Sequence, residues 1–375
     1  MPNPSRTDYY KTLGIDRDTS DEGIRKAYLA LAKKYHPDVN PGDRSAGEHF
    51  KTVVDAYAIL GDPAKRSAYD AAQSDDAAAP DATNRPAIPA SRRRDPLQPL
   101  IGAGTCFLLY RILLYILVPI GQFMGGQMIA LTVPPLVAAA ISSALAMAIF
   151  ESRKLGDTGL AWDDGAPRNL LTGIALGTGA ALLAVLPAVA LGMAHFQYSA
   201  HADVSWRGAL FTPVLLFCGA LGEEIAFRGF VLQYLMRGYG RWAAIFGTGA
   251  LFGVLHAGNP GATTMSTLNT AGFGILFGAA VLRSRDLWLP AGIHFAWNTA
   301  LPFLGVGLSG LTIKVTGYEL VWRAGDLWSG GFYGPEASII TSVVIVLLLV
   351  AIQRAPVTEG AAYMVPDSEL DMGPH

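Results

Sequence analysis

Between residues 97 and 353 the chain is a succession of apolar stretches about as long as a membrane is thick. About 20 apolar residues carry a helix across the hydrocarbon, whereas a buried soluble core shows runs of roughly 10–14. Eight candidate spans stand at roughly 97–119, 127–150, 170–193, 208–232, 242–258, 264–283, 286–306 and 337–353, the fourth to seventh interrupted by polar residues and glycines. Charged residues make up 15% of the chain, against about 25% in an average soluble protein, and many of them lie in residues 1–70. The expected fold class is therefore all-α: a soluble helical hairpin at the N-terminus followed by a polytopic α-helical membrane domain of about eight spans. A formal net charge of −2 gives no electrostatic case for a nucleic acid partner. Cys106 and Cys218 both sit in apolar runs and form neither a disulfide framework nor a CxxC metal pair.

Residues 1–70 form the first expected domain. Thr19 or Ser20 can cap a helix with Asp21 and Glu22 in its first turn. Ile24, Tyr28, Leu31 and Tyr35 then recur at helical spacing, and Pro37 with the NPGD turn ends the helix. Phe50, Val53, Val54, Tyr57 and Leu60 make the stripe of a second helix. The stretches YYKTLGI, IRKAY, KYHPD, DAYAILGD and KRSAYD resemble the J-domain of the DnaJ co-chaperone family over about 63 positions. The resemblance implies that His36, Pro37 and Asp38, with Arg25 and Lys26 on the basic face of the preceding helix, dock a DnaK-type chaperone and stimulate its ATP hydrolysis. Leu29 and Ala30 depart from the family, which often has basic residues just after the helix tyrosine.

Residues 71–96 are rich in Ala, Pro, Ser and Asp and have no apolar period, which predicts a flexible linker. The membrane domain is expected over 97–353 and a disordered tail over 354–375. An N-terminus in the cytoplasm puts Arg92, Arg93, Arg94, Arg153, Lys154, Arg168, Arg237, Arg241, Arg283, Arg285 and Arg354 inside, and Arg207, Lys314 and Arg323 outside. That bias predicts a multi-pass protein of the cell (inner) membrane with its N-terminus cytoplasmic.

The informative residues are the polar ones inside apolar runs. An acidic side chain at the bilayer centre costs about 3 kcal/mol on translocon scales, yet GEEIAFRGF at 222–230 places two there. Glu224 and Arg228 are four apart and share a helix face, so they can pair. Glu223 lies about 100 degrees around the helix without that partner, which makes it the better general base. His256 follows Phe252 by one turn, and His294 and Asn298 share a face further on. A free glutamate, two histidines and an asparagine on neighbouring spans suit water attack on a carbonyl; each alone fits a helix–helix hydrogen bond equally well.

The motifs EExxxR, FxxxH and HxxxN, in that order on successive spans, resemble those of the CAAX protease and bacteriocin-processing family over roughly residues 97–305. The resemblance implies a glutamate-dependent intramembrane endopeptidase acting on a membrane or lipidated protein or peptide within the lipid bilayer. Glu223 would activate water with help from His256, His294 and Asn298 would stabilise the oxyanion, and Glu224 and Arg228 would complete the first motif. No cofactor is expected; zinc on Glu223, His256 and His294 is the alternative, although the HExxH spacing is absent. The competing reading is a membrane-anchored co-chaperone whose spans are a non-catalytic binding scaffold. A proton-path transporter is disfavoured because no repeated half is visible. The expected span ends place Glu223 near the inner side and His256 nearer the outer, on the order of 14 Å apart in depth.

Overall fold

The computed structural model describes residues 9–36, 39–40, 44–63, 65–67, 69–70, 97–198 and 205–365. The chain divides into two compact units, Met1–Arg93 and Arg94–His375.

In the first unit, α2 (Asp21–Tyr35) and α3 (Arg44–Leu60) form the expected pair. Ser20 caps α2, its Oγ accepting from the Gly23 amide at 3.3 Å. Ile24, Val53, Ala56 and Leu60 are buried between the helices, and Tyr28 stacks on Tyr57 with ring centroids 4.0 Å apart. Val54, placed on the apolar stripe by its spacing, is exposed. A short α1 (Tyr9–Leu13) adds Tyr9, Tyr10 and Leu13 to the same core, so the unit is more than a hairpin. Arg66 ties its ends together, donating from Nε to the Tyr10 hydroxyl at 2.9 Å and from Nη2 to the Thr19 carbonyl at 2.8 Å.

The second unit starts with α4 (Gln98–Ala146), which is two segments joined where Gly125 and Gly126 leave helical dihedrals. Gly126 has φ 74°, a conformation that glycine adopts without the Cβ penalty. A Cβ on Gly121 would lie 3.1 Å from the Ala130 Cα; nine residues of straight helix would span about 13.5 Å, so the chain folds back here. Then come α5 (Ala166–Ala190), β1 (Ala194–Tyr198), α6 (Trp206–Glu224), a π turn (Ile225–Gly229), α7 (Phe230–Tyr239), α8 (Arg241–His256), α9 (Thr264–Ser284), α10 (Trp288–Phe303), β2 (Tyr318–Trp322) and α11 (Ile339–Arg354). The strands β1 and β2 pair antiparallel, Phe196 opposite Leu320. Helical segments thus occupy all eight expected positions. Among the described residues, however, only four helices are long and apolar enough to cross a membrane: Gln98–Glu151, Ala166–Ala190, Trp206–Tyr239 and Thr264–Ser284, with Ile339–Arg354 a shorter apolar helix. The described residues thus support eight helical segments but not eight membrane crossings.

Small residues let the helices approach backbone to backbone, as is usual where lipid removes the hydrophobic drive for association. Cβ atoms on Gly173 and Gly177 of α5 would collide with the Leu289 and Ile293 carbonyls of α10. A Cβ on Gly222 of α6 would lie 2.7 Å from the Leu136 N and Cα of α4. These contacts fix the helices that carry residues 223, 224 and 294.

Of the tail expected to be disordered from residue 354, the described residues 355–365 are ordered against the protein. Asn169 grips it through Nδ2 to the Thr358 carbonyl at 2.7 Å and Oδ1 from the Thr358 amide at 2.9 Å. The Gly360 and Ala362 amides donate to the Ser284 and Arg285 carbonyls, and Ala362, Met364 and Val365 are buried. Few apolar residues suffice because the segment satisfies its backbone against existing turns. The same turn holds buried Asp286, which accepts from Ser284 Oγ at 2.7 Å and from the Trp288 and Leu289 amides at 3.2 Å, capping α10. Burial raises the Asp286 carboxyl above its ordinary pKa, opposed by the hydrogen bonds from Asn169, Ser284 and the helix amides.

Candidate active site

The three sequence motifs converge on one cavity of about 310 Å³ lined by Glu223, His256, His294 and Asn298. The expected difference in depth between Glu223 and His256 is overturned by helix length. The α6 helix does not end near 232; through the π turn and α7 it continues to Tyr239. Gly240, with φ 81°, then reverses the chain into α8. Glu223 lies 17 residues before Gly240 and His256 lies 16 after it. At 1.5 Å per residue both stand about 24–26 Å from the turn and are therefore level.

The π turn begins directly after Glu224. Such turns free backbone carbonyls and concentrate at functional sites. The Ile225 carbonyl accepts from Ser143 Oγ at 3.3 Å, and the Arg228 carbonyl from Gln233 Nε2 at 2.9 Å. The irregular backbone is thus satisfied within the protein, the condition for such a turn in an apolar medium.

Glu223 and Glu224 point to different surroundings, as their 100-degree separation predicts. Glu224 and Arg228 are fully buried and approach to 3.5 Å. Glu224 Oε1 lies closer still to His294 Nδ1, at 2.8 Å. The Arg228 guanidinium donates to the Gly274 carbonyl at 3.2 Å and lies 4.5 Å from the Phe252 ring centre. Glu224 is a carboxylate between an arginine and an imidazole, and it assigns the His294 proton to Nδ1. The His294 ring is stacked on Phe277 at 4.8 Å, which holds its plane.

His256 is oriented in the same sense. Its Nδ1 donates to the Phe252 carbonyl at 2.8 Å. Both imidazoles therefore direct Nε2 toward Glu223 Oε2, at 3.9 Å from His256 and 3.7 Å from His294. Those separations are too long for direct hydrogen bonds and suit one small molecule among the three. Asn298, one helical turn after His294, lines the same cavity. Among the described residues, no group of three or more His, Cys, Asp or Glu side chains is placed to hold a metal ion.

Sequence reasoning missed Glu336. It is 7% exposed and lines this cavity from the loop before α11. Oε1 accepts from Trp297 Nε1 at 3.2 Å, and Oε2 from the Ser309 amide at 2.6 Å and Ser309 Oγ at 2.8 Å. Burial, and then the charge of Glu336, raise the pKa of the neighbouring Tyr333 hydroxyl. The one available signal was an acid in GPEAS immediately before an apolar run.

In the first unit, His36 ends α2 and its carbonyl accepts from the Val39 and Asn40 amides at 3.0 Å. Its ring meets Phe50 edge-on, with centroids 5.4 Å apart. Arg25 and Lys26 are exposed on α2, and Lys26 pairs with Glu22 at 2.9 Å. Pro37 and Asp38 lie outside the described residues.

Comparison with known proteins agrees with both resemblances. Residues 8–70 match the DnaJ domain family, and residues 204–300 match the family described as Type II CAAX prenyl endopeptidase Rce1-like. The second match is shorter than the 97–305 expected from the motifs, and it contains all three of them. The chaperone protein DnaJ of Acetivibrio thermocellus is 55% identical over 65 residues, 17% of this chain and 17% of that protein. That of Deinococcus proteolyticus is 59% identical over 63 residues, 17% of this chain and 20% of that protein. The chain thus spans no more than a fifth of the length of these relatives, and they bear on the N-terminal domain alone.

Proposed function

We propose that this chain is a glutamate-dependent intramembrane endopeptidase whose J-domain recruits a DnaK-type chaperone. The observation that carries the reading is the convergence of Glu223 Oε2 with the Nε2 atoms of His256 and His294 at 3.9 and 3.7 Å on one cavity. A water molecule held between Glu223 Oε2 and His256 Nε2 would give one proton to Glu223, the carboxylate without an arginine, as it attacks a peptide carbonyl. The negative charge then forming on the carbonyl oxygen would be met by Asn298 and by the Nε2–H of His294, which would enter the reaction doubly protonated and keep both protons throughout. Glu224 stabilises that form by accepting from Nδ1. Glu223, now protonated, returns the proton to the leaving amine, and the C–N bond breaks. His256, held by the Phe252 carbonyl, orients the water.

The reaction as proposed uses no metal. Metal analysis of purified protein tests this: stoichiometric zinc lost together with activity overturns it. The protein is placed in the cell membrane with its N-terminus cytoplasmic, because that side then holds most of the loop Lys and Arg. There the His36 loop can reach a cytosolic chaperone, which would unfold or deliver a membrane or lipidated protein substrate.

The test is a comparison of new protein termini in cells carrying the wild type or Glu223→Gln. Termini that vanish in the variant identify substrates. Identical termini, with chaperone ATPase stimulation that still depends on His36, would replace the protease with a membrane-anchored co-chaperone scaffold.

A further inference from the structure

The cavity that holds Glu223 contains a second carboxylate, Glu336, and no lining residue is Lys or Arg. The one arginine of the motif, Arg228, is turned away behind Glu224 and among the rings of Phe252 and Phe277. Two acids and no lysine or arginine around the cavity produce a field that favours positive charge. We propose that Glu336 forms a subsite for a cationic side chain of the peptide substrate, so that cleavage is directed to bonds near a Lys or Arg. This rests on the endopeptidase reading and specifies its substrate class.

Three features support the assignment. Glu336 receives neutral donors alone: the Trp297 indole at 3.2 Å, and the Ser309 amide and hydroxyl at 2.6 and 2.8 Å. These hold the carboxylate in place without cancelling its charge. A carboxylate has about four lone-pair sites; these three bonds leave one, on Oε1, which carries only the Trp297 contact. The position also fits: Trp297 is adjacent to Asn298 and lies three residues beyond His294 on α10, so the subsite stands about one turn along the helix from the reacting groups. The rest of the wall includes Met128, Leu131, Leu216 and Ile313, which would contact the apolar stem of a lysine or arginine. The same charge pattern disfavours anionic groups in the cavity, including the α-carboxylate at the end of a peptide.

The experiment uses the full chain in detergent with a fluorogenic peptide library. Lys, Gln or Glu is placed at each of three positions on either side of the cleaved bond, with free and amidated C-termini. At one position Lys should exceed Gln in kcat/KM by about tenfold, the scale of a hydrogen bond to a charged group, with Glu poorest. In Glu336→Gln the Lys-to-Gln ratio should fall close to one, and Glu336→Asp, which keeps the charge, should retain a preference. A wild-type enzyme with no charge preference overturns the proposal whether or not the variants fold. So does a preference retained in Glu336→Gln, or an equal loss on every peptide, which is the mark of a purely structural role. Failure of the wild type to cleave any peptide defeats the endopeptidase reading, and this proposal with it.

Discussion

Gly222→Ala puts one methyl group against backbone beside the reacting carboxylate. The added Cβ would stand 2.7 Å from the Leu136 N and Cα and 3.0 Å from the Pro135 carbonyl carbon. Ordinary contact begins near 3.4 Å, so α6 must retreat from α4 by about 0.7 Å. No flexible side chain is there to yield. Overpacking of this kind costs about 1–3 kcal/mol of stability. The retreat also moves Glu223, the next residue, against two imidazoles held by Glu224 and Phe252. A misplacement of about 1 Å can cost on the order of 100-fold in rate, so a fall in kcat of ten- to a hundredfold is expected. The assay is cleavage of a peptide turned over by the wild type in detergent, beside a thermal melt. Gly247→Ala is the control, because a Cβ there meets nothing within 4 Å. A Gly222→Ala protein as stable and active as the wild type, or a Gly247→Ala protein equally impaired, refutes the reasoning.

Removing one side of the buried Glu224–Arg228 pair should be severe. Glu224→Ala leaves the fully buried Arg228 without its carboxylate, a loss of about 3–5 kcal/mol, and is expected to abolish accumulation of folded protein in the membrane. Glu224→Gln can still accept from His294 Nδ1 and should fold better than it cleaves, measured as kcat per mole of folded protein. Truncation after Arg354 removes the contacts to Asn169, Ser284 and Arg285 and should lower the melting temperature and the cleavage rate together. His36→Gln should abolish stimulation of a DnaK-type ATPase while cleavage of short peptides stays unchanged.

The candidate site was legible because apolar helices make polar residues conspicuous. Glu223, Glu224, Arg228, His256, His294 and Asn298 stood out against apolar neighbours, and helix periodicity alone separated the surroundings of the two glutamates. What periodicity could not give was the length of the helix carrying them. Gln233, Tyr234 and Arg237 end the apolar run, yet the helix continues to Tyr239 because Gln233 and Tyr234 are buried among protein rather than lipid. That difference produced the false gap in depth. Glu336 was hidden for another reason: it lies in the loop before α11, where no repeat marks a buried acid. The ordering of residues 355–365 depends on backbone hydrogen bonds to the 284–286 turn, and those leave no trace in side-chain composition. The pairing of β1 with β2 joins segments more than a hundred residues apart, beyond any local pattern.

The most direct measurement is the turnover of purified Glu223→Gln in detergent on a peptide that the wild type cleaves. A general base contributes about 10²- to 10⁴-fold; a drop in kcat of at least that size, with the melting temperature unchanged, is the expected result. A variant that folds and cleaves at the wild-type rate would contradict the claim that carboxylate 223 activates the attacking water.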